Sequence, residues 1–84
     1  MNAKVLIVDD QKDLLELLTM SLSGEGYIVR TAQNAAEANA AIKLEKPDIV
    51  LLDILLPDVS GIRLTTQWKN DAQTAHIPII LLTA

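Results

Sequence analysis

Residues 49–61 read IVLLDILLPDVSG, and their first five decide the fold. Four apolar residues run without a break and then meet a charge, Asp53. A short apolar run bounded by turn residues has the pattern of a strand buried on both faces, as in a parallel sheet. LPDVSG then turns the chain. Ionised carboxylates are rarely buried unless they are paired or bound to a metal. Asp53, closing such a strand, therefore asks for a chemical reason.

Working outward from this stretch, the period of the apolar residues alternates. KVLIVD (4–9) is a β-branched apolar run and reads as a second strand of the same buried kind. In DLLELLTMSLSGEG, Leu14, Leu15, Leu18 and Leu22 fall at helical spacing. Asp10 or Asp13 is expected to cap that helix, and Gly24 or Gly26 to end it in a left-handed residue. YIVRTA (27–32) is shorter in apolar content and suits a sheet edge. Asn34 with Glu37 resembles a capping box, and Ala38, Ala41 and Ile42 supply the next apolar stripe. Pro47 biases Lys46 away from helical angles and stops the helix. After LPDVSG, the residues Ile62, Leu64 and Trp68 predict a third helix that fades at KNDAQ. IPIILLTA (77–84) is the last strand, with Pro78 tolerated near its start. The order β-α-β-α-β-α-β with short connections implies right-handed crossovers and an open parallel α/β sheet.

Composition narrows the function. The chain has 84 residues, half of them hydrophobic, which suits one small domain with a packed core. A net charge of -4 argues against non-specific binding of nucleic acid, which needs a basic face. With no cysteine there is neither a disulfide framework nor a thiolate metal site. No apolar run approaches the ~20 residues of a membrane span, and MNAKVLIVDD lacks a signal-peptide pattern. The expected setting is the cytoplasm, away from membranes.

In open α/β sheets, ligands bind beyond the carboxyl ends of the strands. Asp9 and Asp10 fall at the end of the first strand, Asp53 at the end of the third and Thr83 at the end of the fourth. If the first and third strands are neighbours, three carboxylates and a hydroxyl converge on one sheet edge. Close carboxylates repel one another, and a hard divalent cation relieves this; Mg²⁺ commonly keeps waters beside one or two carboxylates. Asp53 is also a candidate nucleophile, since carboxylates form aspartyl phosphates. Thr83 is a candidate donor to a phosphoryl oxygen. Other phosphate chemistries fit worse. There is no GxxxxGK[ST] loop, and GEG (24–26) lacks a third glycine and follows a helix. Leu55 stands where a haloacid-dehalogenase pattern needs a second Asp.

Taken together, VLIVDDQKDLLELL, KPDIVLLDILLPDVSG and HIPIILLTA resemble the receiver domain of two-component response regulators, in the right order over the whole chain. The resemblance implies a flavodoxin-like fold with sheet order 2-1-3-4 for the strands present. It implies Asp53 as the phosphoacceptor, Asp10 as a direct Mg²⁺ ligand and Asp9 as a helper through water. It makes the backbone carbonyl of Leu55 a further ligand, Thr83 the switch hydroxyl and Ala84 the small residue beside the phosphoryl group. Pro57 and Gly61 shape the loop into the third helix. The implied phosphodonor is a sensor histidine kinase or phosphotransfer protein. The implied role is signalling, not conventional enzyme catalysis, beyond self-phosphorylation from small phosphodonors.

Receiver domains have a fifth strand, ending in a lysine that pairs with the phosphoryl group. The 84 residues span only four predicted strands, so residues 1–84 are expected to be an incomplete receiver domain. Without that lysine, phosphorylation of these 84 residues is expected to be inefficient. The last strand would then be an apolar edge and one sheet face would be bare, and a homodimer or higher oligomer is expected to cover both. An assembly module without phosphotransfer is the alternative function. An Mg²⁺-dependent phosphatase of another α/β family is weaker still. Among the remaining polar residues, Asp58 reads as a solvated turn residue. His76 reads as a surface residue, and Lys12, Lys43, Lys46 and Lys69 as solvated charges. Trp68 reads as packing.

Overall fold

The computed structural model describes residues 2–82. Four strands and three helices alternate: β1 (Lys4–Val8), α1 (Lys12–Gly24), β2 (Ile28–Ala32), α2 (Ala35–Leu44), β3 (Ile49–Asp53), α3 (Gly61–Lys69) and β4 (Ile79–Leu82). The sheet is parallel throughout, in the order β2-β1-β3-β4. The expected open parallel α/β sheet and its strand order are therefore present.

Strand composition follows position in the sheet. β1 is paired on both sides and Val5, Leu6, Ile7 and Val8 are all buried. β2 is an outer strand, and only Ala32 of its five residues is buried. Successive side chains along a strand point to opposite faces, so the buried residues divide into two cores. Leu6, Val8, Val50 and Leu52 pack with Ala35, Ala38 and Ile42 of α2 and with Leu64 and Trp68 of α3. On the other face Val5 and Ile7 pack with Leu15 of α1, backed by Leu18 and Leu22. Burying each large apolar side chain contributes roughly 1.5–3 kcal/mol before the ordering entropy is subtracted.

The helix ends differ from expectation in detail. Neither Asp10 nor Asp13 caps α1. Its N-cap is Gln11, which offers no side-chain bond, and the Gln11 amide donates to Asp9 Oδ1 at 2.8 Å. Asp13 lies in the first turn, where a negative charge suits the helix dipole. Beyond α1 the left-handed residue is Gly26, with φ 94°, while Gly24 is still helical. Asn34 caps α2 as expected, accepting from the Glu37 amide at 2.8 Å. The Glu37 carboxylate reaches back to the Gln33 amide at 3.1 Å, one residue beyond the box position.

In α3 the buried stripe is Gly61, Leu64 and Trp68, whereas Ile62 is 57% exposed. Ile62 shares the apolar pattern that predicts the helix but not its buried face. It sits two residues from Leu64, about 200° around the helix, and so faces away. Lys69 is not simply solvated: its Nζ donates to the carbonyls of Ile77 at 2.7 Å and Ala75 at 3.1 Å. With Thr74 Oγ1 donating to the Trp68 carbonyl at 2.6 Å, it fixes the connection into β4.

Candidate functional site

Register places the site. Val8 of β1 lies level with Leu52 of β3, so Asp9 and Asp53, each one residue further, leave the sheet at the same height. Asp10 follows Asp9. One carboxylate oxygen from each of Asp9, Asp10 and Asp53 lies within 4.8 Å of the others. Among the described residues this is the one cluster of its kind.

The three acids stand in different surroundings. Asp9 is buried, at 4% exposure, Asp53 is half-buried and Asp10 is exposed. The main chain of Asp9 prolongs the β1–β2 ladder, its amide donating to the Ala32 carbonyl at 3.0 Å. Burial is the main cause that lifts its carboxyl above the ordinary value of 3.8. The charges of Asp53 and Asp10 add to this, and the Gln11 amide works in the opposite sense. Asp53 accepts the Leu55 amide on Oδ1 at 3.2 Å, and among the described residues no protein donor reaches its other oxygen. The Leu55 side chain is 69% exposed and plays no part in packing the site.

Gly61 approaches the back of this strand end. Its amide donates to the Ile54 carbonyl at 2.7 Å. A Cβ at position 61 would overlap the Asp53 carbonyl oxygen and sit 2.9 Å from Ile54 Cα. Only glycine lets α3 begin this close to Asp53.

The donor set has a definite chemical character. Among the described residues the ion pairs are Lys4–Glu45 and Arg30–Glu45, and neither touches the three acids. Three oxygen donors of like charge, one of them buried, with no protein cation between them, match a hard divalent cation such as Mg²⁺. Asp9, Asp10 and Asp53 thus come together as the sequence implies. Thr83 and Ala84 lie outside the described residues.

Asp58 is the residue whose role the sequence hid. Rather than dissolving in solvent, its carboxylate caps α2 from across the fold. Oδ1 accepts from the Ala35 amide at 2.9 Å and Oδ2 from the Ala36 amide at 3.0 Å. The Val59 amide adds a third bond to Oδ1 at 3.0 Å. These amides, Ala35 first, hold the Asp58 carboxyl below its ordinary value. The only local signal is an acid in a turn, and its partners lie 22 and 23 residues away.

Comparison with known proteins agrees with this geometry. Residues 5–84 match the family described as Response regulator receiver domain. The chain is 45% identical over 80 residues to the phosphate regulon transcriptional regulatory protein PhoB of Pseudomonas aeruginosa, covering 95% of this chain and 35% of that protein. It is 41% identical over 81 residues to Protein PilH of the same organism, covering 96% of this chain and 67% of that protein. The chain thus spans about a third of the length of the first relative. Among solved structures it resembles the N-terminal domain of a response regulator receiver protein from Methanoculleus marisnigri JR1. That match has a TM-score of 0.94 at 33% identity and covers 98% of this chain and 67% of that one.

Proposed function

The chain belongs to the response regulator receiver family of two-component signalling, and on that premise we propose that it accepts a phosphoryl group on Asp53. One observation carries the reading: the convergence of Asp9, Asp10 and Asp53 at the carboxyl edge of β1 and β3. Asp9, Asp10, Asp53 and the backbone carbonyl of Leu55 would hold Mg²⁺, Asp9 through water. Bound there, the cation offsets the charge of the acids and of the transferring phosphoryl group. The Asp53 oxygen that takes no amide bond among the described residues is the nucleophile. Its O–P bond forms as the P–N bond to a phosphohistidine breaks, and the nitrogen leaves with the electron pair. The Leu55 amide holds the other oxygen and so fixes the direction of attack.

By position in the family, Thr83 would be the switch hydroxyl and Ala84 the small residue beside the phosphoryl group. The donor is a sensor histidine kinase or a phosphotransfer protein, and the domain signals instead of turning over a substrate. No helix among the described residues is long and apolar enough to cross a membrane, which is compatible with work in the cytoplasm. The test is incubation with Mg²⁺ and acetyl phosphate or a phosphoramidate, followed by intact mass. A labile phosphoryl adduct is expected on the wild type and not on Asp53→Asn. No adduct on the wild type would remove the reading, and an adduct on the variant would move the acceptor elsewhere.

A second reading, assembly through the sheet edge, is favoured by β4. Its outer edge pairs with no strand among the described residues, and Ile80 and Leu81 are 49% and 38% exposed. A second copy would add its own β4 there. Size exclusion with light scattering decides: a dimer at micromolar concentration supports this reading, and a folded monomer ends it.

A further inference from the structure

The loop between β3 and α3 contains no regular secondary structure, yet it adjoins the acidic site. Besides the Ile54 amide, which donates to the Leu82 carbonyl at 3.4 Å, three fastenings hold it. The Leu55 amide donates to Asp53 Oδ1 at 3.2 Å, and the Gly61 amide donates to the Ile54 carbonyl at 2.7 Å. The third fastening points away from the site: Asp58 holds the amides of Ala35 and Ala36 at 2.9 and 3.0 Å. These are two of the donors that a helix N-terminus leaves without an internal partner. Asn34 serves the next one, the Glu37 amide, at 2.8 Å. Asn34 and Asp58 thus both cap α2, but only Asp58 belongs to the loop.

The path closes on itself. α2 follows β2, whose last residue, Ala32, accepts from the Asp9 amide at 3.0 Å. From Asp9 the connection runs through Ala32, Ala35 and Asp58 to the loop and Asp53, and returns to Asp9 across the carboxylate cluster. The carboxylate charge assists both Asp58 bonds, which have ordinary amide–oxygen lengths. Asp58 is not a member of the cluster itself.

We propose that Asp58 is a positioning residue of the acidic site: by fastening the 54–60 loop to α2 it sets the backbone around Asp53 and Leu55 that a divalent cation meets. The cation part of this rests on the proposed function; the fastening of the loop does not.

The test separates positioning from mere support of α2. Asp58→Ala and Asn34→Ala each remove one cap from the same helix end, but only the first frees the loop. Mg²⁺ alone is titrated into each protein by calorimetry, and amide hydrogen exchange is followed at Leu55 and Gly61 without metal. Asp58→Ala is expected to raise the Mg²⁺ dissociation constant about tenfold and to speed exchange at both amides, as loss of a supporting partner does at metal sites. Asn34→Ala is expected to lower the melting temperature while leaving both readouts unchanged. Equal effects from the two variants, or unchanged exchange at Leu55 and Gly61 in Asp58→Ala, would overturn the proposal. Should the wild type bind no Mg²⁺, the metal reading fails. The exchange comparison then decides the positioning role by itself. Where Asp58→Ala does not fold, Asp58→Asn, which keeps one acceptor oxygen, is measured in the same way, and a smaller change of the same sign is expected.

Discussion

The two ends of one sheet treat their acids in opposite ways. At the amino end, Asp48 accepts the Lys4 amide at 2.7 Å. Beside it, Glu45 faces both Lys4 Nζ at 3.4 Å and Arg30 at 3.3 Å. Each acid there has a donor or a cation within the protein. At the carboxyl end, Asp9, Asp10 and Asp53 share a few ångströms, and among the described residues none of them forms an ion pair. The same backbone, in the same register, thus carries a neutralised end and an uncompensated one. Stability alone favours the first arrangement. The second exists at a cost, which the cation of the proposed function would offset.

The sharpest way to break the uncompensated end is steric. Gly61→Ala forces a methyl group into the Asp53 carbonyl and is expected to destabilise the fold by about 3 kcal/mol. Urea unfolding measures it, and a loss below the range of ordinary surface substitutions would mean that α3 can step back freely. Next comes Asp9→Asn, which removes the buried member of the cluster while its amide oxygen can still accept from Gln11. In metal-free buffer it is expected to stabilise the fold, because the variant buries no charge beside Asp10 and Asp53. Mg²⁺ should then raise the melting temperature of the wild type but not of this variant.

Proton linkage gives a smaller and more diagnostic effect. The folded-state pKa of Asp9 lies above 3.8, so across the window from 3.8 up to that raised value the native state binds more protons than the unfolded chain. Without metal, this contribution to stability falls as pH rises through the window. Asp58 has the opposite sign. Its folded pKa lies below 3.8, so its contribution is present above 3.8 and is lost as pH falls through the depressed value. Thermal melts across acidic pH should therefore lose their upper slope in Asp9→Asn and their lower slope in Asp58→Asn. The smallest effect belongs to the paired end. Lys4→Ala breaks an ion pair whose side chains are 42% and 36% exposed, and about 0.5 kcal/mol or less is expected, with Mg²⁺ binding untouched. A large effect there would erase the contrast between the two ends.

How much of this was legible in the sequence depends on distance along the chain. The alternation of strand and helix is a local property of apolar spacing, and it survives folding almost unchanged. Asp9, Asp10 and Asp53 were legible for a topological reason: residues that end neighbouring parallel strands arrive at one edge whatever the side chains between them do. The reach of Asp58 to Ala35 and Ala36 was not legible, because a turn aspartate looks the same with or without a helix end above it. The grip of Lys69 on Ala75 and Ile77 was hidden likewise, since a lysine at a helix end is usually solvated. Ile62 misled because three apolar residues in seven fit a helix without saying which of them faces inward.

The three glycines have a consequence for mutational tolerance. At Gly24 a new side chain meets nothing within 4 Å, so a substitution library should accept most residues there and reward good helix formers. At Gly26, with φ 94°, acceptance should narrow to the few side chains that enter left-handed backbone, asparagine and aspartate first. At Gly61 the obstacle is the first carbon that every other amino acid possesses. The library should therefore show no chemical preference at that position, only uniform depletion. Such a column, blank from alanine to tryptophan, is the genetic signature of a helix start resting directly on a strand-end carbonyl, that of Asp53.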